Sequence, residues 1–167
     1  MTIQTVYYLT GRGGQLQTGV GQGLLDRGYK IVGRESSGKF DTLPIHKQIE
    51  LIRHDLQDGF WHHEAKILAV SYGAYLLMQT LTDLEPYAGS ILLIPPVLGG
   101  ILSVEQMRYF SPPRADKIMR MIGDGTFPKP SNIEIHVGDS DWQSPYERAV
   151  QFADALGARC HVVPNTG

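Results

Sequence analysis

Short apolar runs alternate with segments whose apolar residues recur every three or four positions, and the alternation continues from one end of the 167-residue sequence to the other. Ile3–Gly11, Tyr29–Glu35, Ala65–Ser71, Gly89–Pro96, Asn132–Gly138 and Arg159–Pro164 are rich in β-branched and aromatic residues and read as strands. The segment QTGVGQGLLDRG, Gln17–Gly28, predicts a helix weakened by its glycines. Ile45, Ile49, Ile52, Leu56 and Phe60 form one stripe at helical spacing, with Asp41 or Thr42 placed to cap its start and Gly59 at its end. A further helix is predicted from Tyr72 to Leu84. The stretch 97–130 is less regular and contains one helical patch, RADKIMRMI. Ser144, Pro145 and Glu147 predict a capping box, with proline at the first position of the last helix.

Strands alternating with helices in this way specify the α/β class. The expected sheet is six-stranded and mostly parallel, with helices on both faces. Function in such sheets gathers where strand C-termini meet loops. The places to search are therefore Thr10–Gly14, Ser71, Pro95, Gly138–Asp141 and the residues from Pro164 onward.

The length suits a single domain, 1–167. With 15 basic and 17 acidic residues, the formal net charge is −2, so no basic excess points to nucleic acid and no Lys/Arg block to a membrane surface. The single cysteine, Cys160, has no partner for a disulfide or a cysteine-based zinc site. No secretory signal opens the sequence, and its apolar runs are too broken by Pro and Gly to span a bilayer, so a cytoplasmic protein is expected. GRGGQL and GVGQG fit neither a dinucleotide-binding glycine pattern nor a phosphate-binding loop, and no cofactor is expected. His62-His63-Glu64 lacks the spacing of a metal motif and reads as a solvated connection, so no metal is expected either.

Ala69-Val70-Ser71-Tyr72-Gly73 lies where an apolar strand gives way to a helical pattern. It fits a relaxed form of Gly-x-Ser-x-Gly, in which a serine sits on a sharp strand-to-helix turn and its neighbours two residues away must be small. The alternative is that Ser71 is a helix N-cap. A nucleophilic serine needs a base, and the base needs an orienting carboxylate. Asp139 and Asp141 follow the fifth strand, and Asp141 is favoured. These aspartates otherwise serve a turn or the start of a helix. The oxyanion of an acyl-transfer intermediate needs N–H donors. Tyr72 supplies one at the head of its helix. Gly11 or Arg12, in the glycine-rich TGRGG loop, supplies the other.

Through TGRGG, AVSYGA, GDSDWQSP and the strand order around them, the chain resembles the α/β-hydrolase family in a compact form. The resemblance covers nearly the whole sequence. It implies a serine hydrolase acting on a small-molecule carboxylic ester or thioester through an acyl-enzyme on Ser71. A catalytically inactive binding protein of the same fold and an acyltransferase are the alternatives. In this family the catalytic histidine follows the last strand, and CHVVPNTG resembles the segment that leads into it. None of the six histidines occupies that place. His161, in the last strand, is the nearest substitute. The resemblance therefore implies a truncated form whose native chain continues with a histidine and a final helix. The family often inserts a cap after the fourth strand, which here corresponds to 97–130. Met107, Tyr109, Phe110 and Met119 are candidates to line an acyl pocket there. Otherwise that stretch packs on the sheet as a loop and one helix. Arg12 is placed either to attract an anionic group or to stand as a solvated charge.

Overall fold

The computed structural model describes residues 3–99, 101–103 and 108–167; for 101–103 and 108–110 it describes the backbone alone. Its elements follow in the order β1 Thr5–Leu9, α1 Val20–Asp26, β2 Lys30–Arg34, α2 Gly38–Asp41, α3 Ile45–Gly59, β3 Lys66–Ser71 and α4 Tyr72–Leu81. Then come β4 Ser90–Pro96, β5 Ile101–Ser103, β6 Arg108–Phe110, α5 Ala115–Gly123, β7 Asn132–Gly138, α6 Tyr146–Leu156 and β8 Arg159–Val163. Six of the strands form one sheet in the order β2-β1-β3-β4-β7-β8. Every pairing in it is parallel.

The apolar runs form strands because the middle of the sheet is covered on both faces. Along β1, Tyr7 and Leu9 point into the main core with Ile52 and Leu56 of α3 and most of α4. Val6 and Tyr8 point the other way, against Leu68 of β3 and Leu24 of α1. Alternate residues thus find apolar partners on opposite faces, as a central parallel strand requires. The stripe on α3 behaves as its period predicts: Ile49, Ile52 and Leu56 are buried, and Ile45 and Phe60 pack at its ends. All ten residues of α4 are buried. This helix runs through the core, and its first turn is held at the centre of the sheet.

Three local expectations differ from the structure. The first helix is shorter than its pattern, beginning at Val20, because Gly19 takes a φ of 54°. Neither Asp41 nor Thr42 caps α3. Pro44 holds the N-cap position, and the buried Gln48 amide donates to the Leu43 carbonyl at 2.9 Å. Ser144 makes no capping box on α6. Its hydroxyl donates to the Pro96 carbonyl at 2.6 Å, and α6 begins at Tyr146 behind Pro145.

The stretch 97–130 holds more structure than one helix. β5 and β6 pair antiparallel outside the main sheet. In α5, Ala115 and Ile118 enter the main core, which also takes in Val97, Leu98 and Phe127.

Candidate active site

β3 ends at Ser71, and α4 begins at the next residue. The turn is made by Ser71 itself, with φ 51° and ψ −114°. For a residue with a Cβ this conformation costs ~1–3 kcal/mol and persists only where the surroundings impose it. Ser71 occupies the N-cap position, yet its side chain makes no capping hydrogen bond. The turn is permitted by its small neighbours. Ala69 is fully buried. A Cβ on Gly73 would lie 2.5 Å from the Thr10 carbonyl oxygen and 2.6 Å from that of Leu9, so only hydrogen fits there. The pairing of β3 with β4 also shifts register between Val70 and Ser71.

The loop after β1 passes directly beside this turn. Thr10 is fully buried and anchors the loop to Ser36, two residues past the end of β2: the Ser36 N–H donates to Thr10 Oγ1 at 2.8 Å, and the Ser36 hydroxyl donates to the Thr10 carbonyl at 3.0 Å. Within the loop, the Gly13 N–H donates to Ser36 and the Gly14 N–H to Gly11. The N–H groups of Gly11 and Arg12 make no hydrogen bond among the described residues. The loop is therefore tied down on either side of two unused donors. The Arg12 guanidinium lies 4.5 Å above the centre of the Tyr72 ring, and its Nε is 3.9 Å from Asp41 Oδ1. Tyr72 stacks in turn on Tyr75. Arg12 is thus an exposed charge packed along an aromatic face. Sequence reasoning missed the part played by Ser36; a serine just past the strand next to β1 was the available signal.

Beyond β7, the chain turns at Gly138, where a Cβ would collide with the Thr166 carbonyl. Asp139 is exposed and faces the terminal turn, accepting from the Ser140 hydroxyl at 2.9 Å and the Thr166 N–H at 3.4 Å. Hydrogen bonds from the Asn165 backbone and Ser140 hold its carboxyl below the ordinary aspartate value. Asp141 is half-buried. Its Oδ1 accepts from the N–H groups of Gln143 at 2.8 Å and Ser144 at 2.9 Å. Ser144, through its bond to Pro96, ties this acid loop to the C-terminal end of β4. Gly167 lies against Ser140 and Asp141. A cavity of about 230 Å³ opens here, lined among others by Ile94, Pro95, His136, Asp141 and Gly167.

No protein-family model and no curated protein matches the sequence. Solved structures do match the fold. Est1E from Butyrivibrio proteoclasticus superposes with a TM-score of 0.66 at 13% identity, covering 98% of this chain and 79% of that one. An α/β-hydrolase enzyme from the sediment metagenome of the Mar Chica lagoon, Morocco, gives 0.63 at 15% identity, covering 99% and 82%. The Pyrococcus furiosus esterase Pf2001 gives 0.61 at 15% identity, covering 96% and 74%. The chain has the α/β-hydrolase fold.

On this α/β-hydrolase fold, the structure brings Ser71, Tyr72, Gly11 and Arg12 together at the C-terminal ends of β1 and β3. Asp141 lies at the end of β7, separated from β3 by β4. His161 does not join them. It sits in β8 with its Nε2 3.3 Å from Glu134 Oε1 and its ring against His136. His46, His54, His62 and His63 are exposed on α3 or on the connection before β3. Among the described residues, no histidine is hydrogen-bonded to Ser71 or Asp141. Of the acyl-pocket candidates, Met119 is exposed. Met107 and the side chains of Tyr109 and Phe110 lie outside the described residues. Among the described residues, no helix is long and apolar enough to cross a membrane.

Proposed function

We propose that the protein is a serine hydrolase that cleaves a small carboxylic ester or thioester through an acyl-enzyme on Ser71. The observation that carries this reading is the backbone of Ser71. A half-buried serine is held at φ 51° between a strand and a helix, and its hydroxyl is not used to cap that helix. Strain of this kind supports a functional assignment because a glycine would satisfy the same turn at less cost.

In the mechanism, the Ser71 hydroxyl attacks the substrate carbonyl and gives its proton to a base. The N–H of Tyr72 and that of Gly11 or Arg12 hold the oxyanion, in a loop fixed before the reaction starts. Collapse of the intermediate expels the alcohol or thiol, which takes the proton from the base. Water then attacks the acyl-enzyme by the same steps in reverse. Asp141 orients the base, its Oδ1 fixed by two backbone N–H groups. The base in this proposal is a histidine oriented by Asp141, a place that none of the described histidines occupies.

Fluorophosphonate labelling of the full-length protein tests the assignment. The expected result is one adduct, on Ser71, that disappears in Ser71→Ala. An adduct elsewhere with Ser71 untouched overturns it. The absence of a described histidine at Ser71 or Asp141 favours one second reading, an inactive binding protein of the same fold. That reading predicts no adduct.

A further inference from the structure

β7 and β8 pair in parallel with His136 opposite His161 and Glu134 opposite Arg159. Residues two apart on a strand share a face, and register partners on neighbouring strands stand side by side. Glu134, His136 and His161 are therefore brought together by the sheet itself. Their side chains converge: Glu134 Oε1 is 2.6 Å from His136 Nε2 and 3.3 Å from His161 Nε2. One ligand atom from each residue lies within 4.8 Å of the other two.

We propose that Glu134, His136 and His161 bind a divalent transition-metal ion, of which zinc is the reference case, and that the ion clips the edge strand β8 to β7. Two imidazole nitrogens and one carboxylate oxygen suit zinc and its neighbours. Calcium and magnesium, which take six or more oxygen ligands, do not fit a set with a single carboxylate. Bonds of about 2.1 Å at tetrahedral angles separate ligand atoms by roughly 3.4 Å. The Glu134–His161 spacing of 3.3 Å already has that value. The shorter Glu134–His136 contact opens by less than about 1 Å to reach it.

The carboxylate is also prepared for the role. Arg159 Nη2 holds Glu134 Oε2 at 2.8 Å, which leaves Oε1 for the two imidazoles. Metal-binding carboxylates are commonly oriented by such an outer hydrogen bond. Three protein ligands leave a fourth position for water. The need for a clip is visible in β8, which lies at the sheet edge with four of its five residues exposed.

Isothermal titration of chelator-treated protein with zinc chloride is the first test, and the absorption spectrum of the cobalt(II) form is the second. The expected result is one zinc per chain and cobalt bands of four-coordinate intensity. Binding should weaken at least about tenfold in each of Glu134→Gln, His136→Ala and His161→Ala. The His161 side chain is 53% exposed, so its removal leaves the fold intact and that variant isolates the ligand role. Zinc should also raise the thermal midpoint of the parent protein and not that of His161→Ala. Absence of saturable binding overturns the proposal. Binding unchanged in His161→Ala, or lost instead in a His62→Ala, His63→Ala double variant, overturns it equally.

Discussion

Gly11 and Ser71 face each other so closely that a methyl group on Gly11 would lie 3.3 Å from the Ser71 Cβ. Gly11 does not adopt a positive φ, so alanine is allowed there by the backbone. Crowding alone is at issue. The added methyl would also meet Val70 Cγ1 at 3.6 Å, and the loop must retreat from the serine to accommodate it. A retreat of a few tenths of an ångström displaces the Gly11 and Arg12 N–H groups from an oxyanion, and a misplacement of ~1 Å would cost about a hundredfold in rate. Gly11→Ala should therefore lower kcat about tenfold to a hundredfold on a chromogenic ester, with little change in KM. Equal activity in the variant would remove this loop from the mechanism.

Ser71→Gly separates stability from chemistry. Glycine adopts φ 51° without the strain that serine bears there, ~1–3 kcal/mol, but loses more chain entropy on folding. The net expectation is a variant about 1 kcal/mol more stable in urea unfolding and unable to form an acyl-enzyme. Ser71→Ala keeps the strain, removes the hydroxyl and should unfold close to the parent. If Ser71→Gly proves less stable than Ser71→Ala, the turn is not strained.

Much of the fold was legible because period and burial agree. The β1, β3 and β4 runs are apolar on both faces because the sheet is covered there, and the α3 stripe has a clear helical period. Ser71 stood out because Ala69 and Gly73 are small, and the structure gives the reason: Gly73 touches the Leu9 and Thr10 carbonyls. What was not legible depends on contacts distant in sequence. Ser144 has the spacing of a cap, but its hydroxyl finds Pro96, 48 residues earlier. The Ser36–Thr10 tie and the meeting of His136 with His161 are set by strand order and register, which local patterns do not encode. β5 and β6 are three residues each, too short for periodicity to reveal.

Buried phenols set the alkaline limit of the fold. Burial pushes Tyr7, Tyr75 and Tyr87 above the ordinary tyrosine value, and in Tyr7 the Asp55 carboxylate, which accepts from its hydroxyl at 2.7 Å, adds to the rise. A raised value in the folded state means that the folded chain holds protons the unfolded chain releases. Stability is then full below about pH 10, where free tyrosine remains neutral, and falls as pH rises beyond it. Ultraviolet titration should show these three phenolates appearing together with loss of the near-ultraviolet circular dichroism. Tyr75→Phe should soften the alkaline fall. Ionisation of all tyrosines before any unfolding would contradict the burial argument.

The bond from Ser144 to Pro96 connects the candidate acid to the candidate nucleophile by a short path. Pro96 pairs with Ser71 in the register between β4 and β3, and the Ser144 N–H donates to Asp141 Oδ1. A single buried residue therefore touches the strand beside Ser71 through its hydroxyl and the Asp141 carboxylate through its backbone. Ser144→Ala leaves the Pro96 carbonyl without this partner, at a cost of ~1–3 kcal/mol. The N–H to Asp141 remains, so the acid keeps its charge environment and loses only its anchorage to β4. The expected variant unfolds at lower urea and shows a reduced kcat with a nearly unchanged KM. Ser144→Thr restores the hydroxyl and should recover part of both. Lower stability with kcat intact would show that the tie serves the fold alone, because an unanchored carboxylate cannot hold a base in line for proton transfer.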